Sequence, residues 1–234
     1  MQGIIGIIVG AGEVGTALYQ VLKKVHPTYI RDIEFDGEIP KIEILHICFP
    51  YFKGFEKEVK KYQLLYKPKY TVIHSTVPLD TNKICESYHS PVTGIHPHLA
   101  KSLITFTKFL APKSKFLKEY FEKANIKIKM FKSSRYTEAL KIAATTLYGF
   151  NIIGEKLIHE WCEDHLLDFN IVYTQAIKEY NKGYLALGMP QYQMYNLKHC
   201  QGEIGGHCIM PNLKFIDNDI VNFIRKQNKR LRTR

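Results

Sequence analysis

The sequence predicts an α/β protein in which a doubly wound, mostly parallel sheet is followed by a smaller all-helical domain. Three observations support this prediction. The chain opens on an apolar run that ends in a glycine-spaced turn and leads into a helical pattern, GIIGIIVGAGEVG followed by TALYQVLKKV. Strand-like and helix-like segments then alternate as far as about residue 132. From Ser134 onwards, apolar residues recur at helical intervals.

The opening segment predicts a strand, a phosphate-binding turn and the start of a helix. Its glycines have the GxGxxG spacing of dinucleotide-binding units. The first glycine permits a tight turn, the second lets the backbone approach a pyrophosphate, and the third lets the helix pack on the strand. The amide groups of the helix would then face the phosphates. The cofactor-binding residues predicted here are Gly10, Gly12, Glu13, Val14 and Gly15.

The second strand is expected at 28–32 (TYIRD), which places Asp32 17 residues after the last glycine of the turn. An acid at this position typically binds the ribose hydroxyls of the adenosine and favours NAD over NADP. Glu34 and Asp36 are alternatives for this role, because predicted element boundaries carry errors of about 2 to 4 residues. Arg31 could instead meet the 2′-phosphate of NADP, so NADP is the second choice of cofactor.

The remaining elements of this domain follow from short apolar runs and helical periodicity. Strands are expected at 42–49, 70–74, 92–95, 107–110 and 126–131, and helices at 53–66, 81–88 and 113–124. The strand at 42–49 begins so soon after the second strand that one strand–helix unit of the usual fold is shortened or absent. Ligands gather at the carboxyl ends of parallel strands. The cofactor residues predicted at these ends are Phe49, Pro50, Ser75 and Thr76.

The second half of the chain predicts helices. Residues 136–166 have apolar side chains at intervals of three or four, which predicts one long helix, and a second helix is expected at 171–187. Gly149 and Gly154 inside the long helix each cost about 1 kcal/mol relative to Ala, so close packing against another helix or a second subunit is expected. The predicted domains are a dinucleotide-binding domain at 1–132, a helical substrate and dimerisation domain at 133–224, and a basic tail at 225–234.

The net charge of +11 is compatible with a nucleic acid, an anionic lipid or an anionic small molecule as partner. Because the lysines are spread along helix faces, an anionic substrate is favoured and nucleic acid is not expected. No apolar run reaches the roughly 18 residues that a membrane span needs, and Met1–Val9 lacks the features of a signal peptide. The 5 cysteines show no regular spacing, so reduced thiols and a cytoplasmic location are expected.

A second informative stretch is GEIGGHCIMPN at 202–212, where paired glycines precede a cysteine. Such a backbone can approach a ligand closely and present a thiol from a loop. This stretch, STVP at 75–78, GAGEVG at 10–15 and ExxK at 138–141 together resemble the UDP-glucose/GDP-mannose dehydrogenase family. The motifs occur in that family's order and at about its spacing, over residues 3–212.

The resemblance implies a Rossmann domain, a central helical domain of the 6-phosphogluconate dehydrogenase type, and oxidation of a sugar-nucleotide alcohol to the carboxylate in two NAD-dependent steps. Cys208 matches the family's cysteine, which holds the aldehyde as a thiohemiacetal. Lys141 matches the lysine that would stabilise a developing oxyanion. Thr76 matches a threonine that pairs with water or a substrate hydroxyl, and Asn151 falls where some members have an asparagine.

The chain departs from the family pattern at several positions. Thr145 replaces an asparagine, while Asn212 and His98 replace two acids, which puts the full four-electron oxidation in doubt. The family's third domain, which binds the nucleotide diphosphate, is expected to be absent because the chain ends at Arg234. A UDP-sugar substrate is therefore not expected unless another chain supplies that domain.

His98 is a candidate general base, because imidazole titrates near neutrality and can accept an alcohol proton during hydride transfer. With His96, it also resembles the HPM-type segment of prephenate dehydrogenases. Structural roles are the alternatives for three of the catalytic candidates: an inert thiol for Cys208, a lysine that reaches out to water for Lys141, and a structural histidine for His98.

A metal site is not expected, although ligand types are present. The candidate ligands, which have no CxxC or HxxxH spacing, are His199, Cys200, His207 and Cys208, with His96 and His98. The leading prediction is an NAD-dependent oxidoreductase that acts on a small anionic alcohol or aldehyde, as a homodimer through its helical domain. The alternatives are a truncated UDP-sugar dehydrogenase-like or prephenate-dehydrogenase-like enzyme and, in another class, a non-catalytic dinucleotide-binding protein.

Overall fold

The computed structural model describes residues 4–32, 40–205 and 208–232. The chain divides into two compact units, Met1–Ile142 and Ala143–Arg234. The division falls later than the boundary predicted at residue 132, because the first turns of the long helix are bonded to loops of the first unit. Lys141 on that helix, for example, donates to the carbonyl oxygen of Val92. The functional assignment of the two domains stays a prediction.

The first unit is built on a parallel sheet. Its strands are β1 (Gly6–Val9), β2 (Thr28–Arg31), β3 (Ile44–Ile47), β4 (Tyr70–Ile73) and β5 (Tyr88–His89). The strand order is β2-β1-β3-β4-β5, and every neighbouring pair is parallel. The chain therefore crosses from one side of β1 to the other between β2 and β3, and in open α/β sheets ligands bind at the carboxyl ends of the strands beside such a crossing. The predicted doubly wound parallel sheet is confirmed.

In the part of this unit that the structure describes, helices and a small second sheet accompany the main sheet. The helices are α1 (Glu13–Leu22), α2 (Phe55–Tyr66), α3 (Thr81–Ile84), α4 (Leu99–Thr105) and α5 (Lys115–Lys123). The second sheet pairs β6 (Lys108–Leu110) with β7 (Ile128–Met130) in parallel. A single antiparallel bridge between His89 and Ala111 connects it to the main sheet.

The predicted strand at 92–95 is wrong. That segment is a loop, and the fifth strand is the shorter Tyr88–His89. Prolines at 91 and 97 bracket the loop, and an added Cβ at Gly94 would lie 2.4 Å from Cβ of Ser102, so the backbone here follows α4 and not the sheet. Helix α4 is not predicted from the sequence, and the helix predicted at 81–88 ends at Ile84.

The two faces of the main sheet are packed by different helices. On the α2 face, Ile7, Val9, Leu45 and Ile47 pack with Phe55 and Val59 in one apolar cluster. The opposite face, called the α5 face here, packs Ile8, Ile44 and Val72 with Tyr120 and Phe121 and with residues of α1. This clustering follows from the alternation of side chains along each strand.

The second unit is helical, as predicted. It contains most of α6 (Ser134–Asp164), a π-helical segment (Asn170–Gln175), α7 (Ala176–Ala186) and α8 (Asp219–Arg232). Inside α6, an added Cβ at Gly149 would lie 2.8 Å from Cγ2 of Ile209, so this glycine permits a close contact within the unit. An added Cβ at Gly154 would meet none of the described atoms within 4 Å.

The predicted basic tail at 225–234 is wrong as far as the structure describes it. Helix α8 continues to Arg232 and buries Val221, Ile224 and Leu231 in a cluster with Ile153 and Ile209. These apolar residues recur at intervals of three and seven, but the basic residues between them dominate the composition of the segment. In the described part of the chain, no helix has both the length and the apolar character that a bilayer crossing requires.

Candidate functional site

The turn between β1 and α1 requires glycine at two of its three GxGxxG positions. Gly10 has φ of +101°, and an added Cβ there would lie 2.8 Å from the amide nitrogen of Phe49. At Gly15, an added Cβ would lie 1.8 Å from the carbonyl oxygen of Gly10. The amide of Gly10 donates to the carbonyl oxygen of Arg31 at 3.0 Å, which joins the turn to the end of β2. The fold itself therefore explains the first and third glycines.

Gly12 differs from the other two glycines. It is the N-cap residue of α1 and has φ of −69°, a conformation that any residue adopts. An added Cβ would meet no described atom within 4 Å. The backbone is therefore open at the amino end of α1, where unpaired amide groups and the helix dipole favour an anion. This combination fits the pyrophosphate of a dinucleotide.

The carboxyl ends of β3 and β4 meet beside this turn. The hydroxyl of Ser75 donates to the carbonyl oxygen of Phe49 at 2.5 Å, and the amide of Cys48 donates to the carbonyl oxygen of Val9 at 2.8 Å. Thr76, the next residue, is half-buried. The structure thus brings together the predicted cofactor residues Gly10, Phe49 and Ser75 at the switch point of the sheet.

Asp32 follows directly after β2 and is exposed. Its neighbour Arg31 projects its guanidinium onto α2, where it lies 5.4 Å from the ring of Tyr62 and 5.9 Å from the ring of Tyr66. The alternatives for the ribose-binding acid, Glu34 and Asp36, lie outside the described residues. At the end of β2 the structure therefore describes one exposed acid and one arginine engaged with aromatic rings.

The two histidines of the GIHPH loop differ in their contacts. Nδ1 of His96 lies 3.0 Å from a carboxylate oxygen of Glu13, the first residue of α1. This contact fastens the loop to the glycine turn, although an exposed pair of this kind contributes at most about 1 kcal/mol. His98 is exposed and precedes α4, and its carbonyl oxygen accepts from the amide and the hydroxyl of Ser102 at 2.9 Å. The ring of His98 thus stands on a loop that is anchored at both ends.

The ExxK segment on α6 holds two loops of the first unit. The carboxylate of Glu138 is fully buried and accepts from the amides of Asp80 and Asn82, at 2.7 and 2.9 Å. Nζ of Lys141 donates to the carbonyl oxygen of Val92 at 2.9 Å. Glu138 therefore fixes the loop that follows STVP, and Lys141 fixes the loop that leads to His98.

A second lysine binds the neighbouring carbonyl groups. Nζ of Lys108 donates to Ser90 O at 2.5 Å and to Pro91 O at 3.0 Å, so two ammonium groups, with Lys141, engage three consecutive carbonyl oxygens at 90–92. Lys108 is only 4% exposed, and burial lowers its pKa to about 7. A lysine that titrates near neutrality thus lies beneath the loop that joins β5 to α4.

Two histidines, His46 and His74, are buried on the α5 face beside Lys108, whereas the buried His89 is in register with Ile73, a residue of the α2-face cluster. Nδ1 of His74 must donate to Ser90 O, because a carbonyl oxygen only accepts, and the bond is 2.8 Å long. In the neutral ring, Nε2 of His74 then accepts from Nδ1 of His46 at 3.0 Å, and Nε2 of His46 accepts from the hydroxyl of Tyr120 at 3.2 Å. His89 bonds Ser75 O through Nε2 at 3.1 Å.

Burial lowers the pKa of His46 and His89 to about 3, and it lowers the pKa of His74 well below its ordinary value. The three rings are therefore neutral at neutral pH, and the hydrogen-bond directions given above for His46 and His74 are those of neutral rings. His89 separately holds the backbone of Ser75, a predicted cofactor residue, through Nε2, and its Nδ1 lies 2.9 Å from Oγ1 of Thr137.

The other predicted catalytic residues belong to the second unit. Cys208 is exposed and is a free thiol, and its carbonyl oxygen accepts from Nδ2 of Asn212 at 2.6 Å. Asn151 on α6 donates to the carbonyl oxygen of Leu147 at 2.8 Å. The asparagine that replaces a family acid therefore stabilises the backbone around the cysteine. Thr145, the other replacement, is half-buried on α6.

His199 and Cys200, two of the candidate zinc ligands, are engaged by other side chains. The rings of His159 and His199 stack at 3.6 Å with an angle of 7°, and Nδ1 of His199 lies 2.7 Å from Oε1 of Glu155. The ammonium of Lys156 donates to the carbonyl oxygen of Cys200. His207 lies outside the described residues. Among residues 4–32, 40–205 and 208–232, no group of three or more His, Cys, Asp or Glu side chains has an arrangement that could hold a metal ion.

Lys108 and the buried histidines of the strands are not among the residues predicted from the sequence. Their signal was available: His46, His74 and His89 each lie in or directly after an apolar strand, and Lys108 lies within FTKFLA. Polar residues in such runs mark a buried hydrogen-bonded network when several strands share them. In a single strand, a polar residue can equally well be exposed to solvent, so one strand alone does not indicate a buried network.

No protein-family model matches the chain, and no curated protein sequence matches it significantly. Solved structures do match. The UDP-D-ManNAc dehydrogenase of Pyrococcus horikoshii gives a TM-score of 0.72 at 13% identity, covering 97% of this chain and 68% of that one. The UDP-N-acetyl-mannosamine dehydrogenase of Staphylococcus aureus gives 0.69 at 14% identity, with 97% and 68% covered. A UDP-glucose dehydrogenase of Pyrobaculum islandicum gives 0.68 at 11% identity, with 99% and 68% covered.

These likenesses establish the fold, since the sequence identities are low. They agree with three features described above: the glycine turn, the crossing of the chain from one side of β1 to the other, and the helical second unit. The chain therefore shares the fold of the UDP-sugar dehydrogenases, and the resemblance that its motifs indicated is confirmed at that level.

Proposed function

We propose that this chain is an NAD-dependent oxidoreductase that acts on a small anionic alcohol or aldehyde. The observation that carries the proposal is the glycine turn, where Gly10 and Gly15 are required by the backbone while Gly12 leaves the amino end of α1 open. The similarity to solved structures of dehydrogenases supports an oxidoreductase. The net charge of +11 supports an anionic substrate.

The cofactor would be held by this chain at the carboxyl edge of the sheet. The amides at the start of α1 would bind the pyrophosphate, and Asp32 would accept hydrogen bonds from the adenosine ribose, which favours NAD. Phe49, Pro50, Ser75 and Thr76 would border the cofactor at the ends of β3 and β4. When bound, the nicotinamide ring would supply the hydride acceptor.

The catalytic roles rest on the matched motifs. His98, on the loop that His96 fastens to the glycine turn, would accept the proton of the substrate alcohol. The Lys141 ammonium would stabilise negative charge on the substrate oxygen. If an aldehyde is oxidised further, the thiol of Cys208, after losing its proton, would add to the carbonyl carbon and give a tetrahedral thiohemiacetal. Thr76 and Asn151 would bind a substrate hydroxyl or water.

A homodimer through the helical unit is part of the proposal. Large apolar side chains are exposed on this unit, including Trp161 at 47% and Leu166 at 96%. Exposed apolar surface of this kind is typical of an interface. The free state of all five cysteines supports a reducing compartment such as the cytoplasm.

The cofactor proposal is tested by a matched pair of glycine variants. We expect NAD at 100 times its dissociation constant to stabilise the wild type by about 2.7 kcal/mol, which calorimetry and thermal melting would detect. Gly12→Asn retains a good N-cap residue, so it should fold normally and lose NAD binding by more than about tenfold. Gly15→Ala should lower stability by several kcal/mol, because its Cβ overlaps a backbone oxygen. Absence of binding by the wild type, with NAD and NADP alike, would refute the proposal.

The role of Cys208 is tested separately. With a substrate in hand, Cys208→Ser should retain alcohol oxidation and lose oxidation of the aldehyde, followed by absorbance of the reduced nicotinamide. Unchanged turnover of both would assign Cys208 a structural role. The engagement of Lys141 by Val92 O favours one alternative, a non-catalytic dinucleotide-binding protein. Such a protein would bind the cofactor and show no absorbance change with any alcohol.

A further inference from the structure

Arg31 at the end of β2 has a main chain and a side chain that face different parts of the molecule. Its carbonyl oxygen accepts from the amide of Gly10, so its backbone belongs to the edge of the glycine turn. In the sheet it is in register with Val9, and Val9 belongs to the apolar cluster of the α2 face together with Phe55 and Val59. Residues in register on parallel strands share a face, so Arg31 projects its side chain towards α2.

Two tyrosines of α2 receive the guanidinium. The rings of Tyr62 and Tyr66 stack at 6.3 Å with an angle of 4°. The guanidinium carbon lies 5.4 Å from the first ring centre and 5.9 Å from the second, and a guanidinium nitrogen donates to the hydroxyl of Tyr66. Tyr62 is buried and Tyr66 is half-buried, so water does not compete freely for this contact. Planar stacking and directed hydrogen bonding are the two ways in which a guanidinium is held in one orientation.

The choice between NAD and NADP depends on this region of a dinucleotide-binding fold. NADP differs from NAD by one phosphate on the adenosine ribose, and an arginine near the end of the second strand can bind that phosphate through two hydrogen bonds. An acid in the same region binds the ribose hydroxyls and repels the phosphate. In this chain the acid, Asp32, is exposed directly after β2, while the arginine is engaged with α2.

We propose that Tyr62 and Tyr66 set the cofactor preference by holding Arg31 on the α2 face. Asp32 is then the charged side chain that meets the ribose, and NAD is preferred. Tyr66 acts as a positioning residue in this scheme, because it determines where the Arg31 guanidinium lies without itself touching the cofactor. The inference rests on the proposed function in that it assumes a nicotinamide dinucleotide at the glycine turn.

The test measures binding of NAD and NADP by titration calorimetry, with no need for a substrate. Tyr66→Leu removes the hydroxyl and the ring, so Arg31 can turn towards the ribose. We expect the NADP dissociation constant to fall about tenfold, because a hydrogen bond to a charged phosphate is gained, and the NAD dissociation constant to change less than about twofold. Tyr66→Phe keeps the ring and removes only the hydroxyl, so it should give a smaller shift in the same direction without risk to the fold.

Two further variants locate the effect. Arg31→Met combined with Tyr66→Leu should abolish the gain in NADP affinity, because the guanidinium is the group that moves. Leu65→Ala on the exposed side of the same helix should change neither affinity. An unchanged ratio of the two dissociation constants in Tyr66→Leu and Tyr66→Phe would overturn the inference, and so would a gain that persists without Arg31. If the wild type bound neither dinucleotide, the proposed function would fail instead.

Discussion

The α2 face and the α5 face of the main sheet are packed with different chemistry, although they share the same four-residue strands. On the α2 face, Leu45 and Ile47 of β3 pack with Phe55 in an apolar cluster. On the α5 face, the same strand contributes His46, which is bonded to another buried histidine and to Tyr120. Lys108 is buried on the same side of the molecule as these histidines and bonds the carbonyl oxygen that His74 also bonds.

The comparison shows that the two faces of one sheet can stabilise the fold through different interactions, apolar packing on one face and buried hydrogen bonds on the other. Packing of apolar side chains depends little on pH, because no proton is bound or released. A buried network of titratable groups is stable only while each group keeps the protonation state that its hydrogen bonds require. We therefore expect the apolar cluster of the α2 face to set a constant part of the free energy of unfolding, and the buried titratable groups of the α5 face, together with His89 of β5, to set its pH dependence.

The largest expected effect is loss of stability in acid. The pKa values of His46 and His89 are lowered to about 3 and that of His74 is also lowered, whereas all three have their ordinary pKa near 6.5 in the unfolded chain. Below pH 6.5 the unfolded chain therefore binds more protons than the folded chain. His46 and His89 alone should lower the free energy of unfolding by roughly 2.7 kcal/mol between pH 7.5 and 5.5, about 1.4 kcal/mol each. The lowered pKa of His74 and of the buried His26 adds to this fall in the same direction. Urea unfolding at pH 7.5, 6.5 and 5.5 measures this fall.

His46→Gln provides the control for this prediction. Glutamine keeps one donor and one acceptor but binds no proton, so the loss of stability between pH 7.5 and 5.5 should be smaller by about 1.4 kcal/mol. A free energy of unfolding that stayed constant from pH 7.5 to 5.5 in the wild type would show that the buried histidines do not control acid stability.

The next effect is on the α2 face. Phe55 is fully buried there, and Phe55→Ala should cost about 3 to 5 kcal/mol through lost burial and the cavity that remains. Because no titratable group is involved, the cost should be the same at pH 7.5 and pH 6.5, as measured by urea unfolding of both proteins. A cost that changed with pH would mean that the two faces are coupled, and the division proposed above would be wrong.

The smallest effect concerns Lys108, whose pKa is lowered to about 7. Between pH 7 and its ordinary pKa near 10.5, the unfolded chain binds one more proton than the folded chain. Stability should therefore rise by about 1.4 kcal/mol per pH unit above pH 7. The useful window ends below pH 9, since burial raises the pKa of the Cys48 and Cys85 thiols to about 12 and their contribution has the opposite sign.

Lys108→Met removes the titrating group and keeps the length of the side chain. Comparison of its free energy of unfolding with that of the wild type at pH 7.5 and 8.5 isolates the contribution of the lysine. The rise with pH should be present in the wild type and absent from the variant. Equal slopes in the two proteins would assign the pH dependence to other groups.

The parts of the fold that were predictable from the sequence are those with a local physical signature. The glycine turn is one, because a positive φ at Gly10 and the contact at Gly15 restrict these positions to one residue type. The parallel strands are another, since short runs of Ile and Val bounded by turn residues indicate buried strands. The long helix α6 followed from its apolar periodicity in the same way.

The parts that were missed depend on contacts between distant residues. The sequence predicts a tail in place of the end of helix α8, because Lys and Arg dominate the composition there. The buried residues Val221 and Ile224 of this helix pack in a cluster with Ile153 of α6, and the local sequence does not show this contact. In the sequence, Lys108 cannot be distinguished from an exposed lysine, because only the fold brings the carbonyl oxygens of Ser90 and Pro91 to its ammonium group. In both cases the information lies in tertiary packing and not in local pattern.

Gly12 differs from Gly10 and Gly15 in a way that affects how sequences of this kind can evolve. Mutation at positions 10 and 15 is opposed by folding in every descendant, whether or not a ligand is bound. Mutation at position 12 meets no obstacle within the described chain, so only selection for a ligand can preserve glycine there. In lineages that abandon the dinucleotide, position 12 should diversify first while positions 10 and 15 stay glycine. This one position therefore serves as a record of whether binding has been retained.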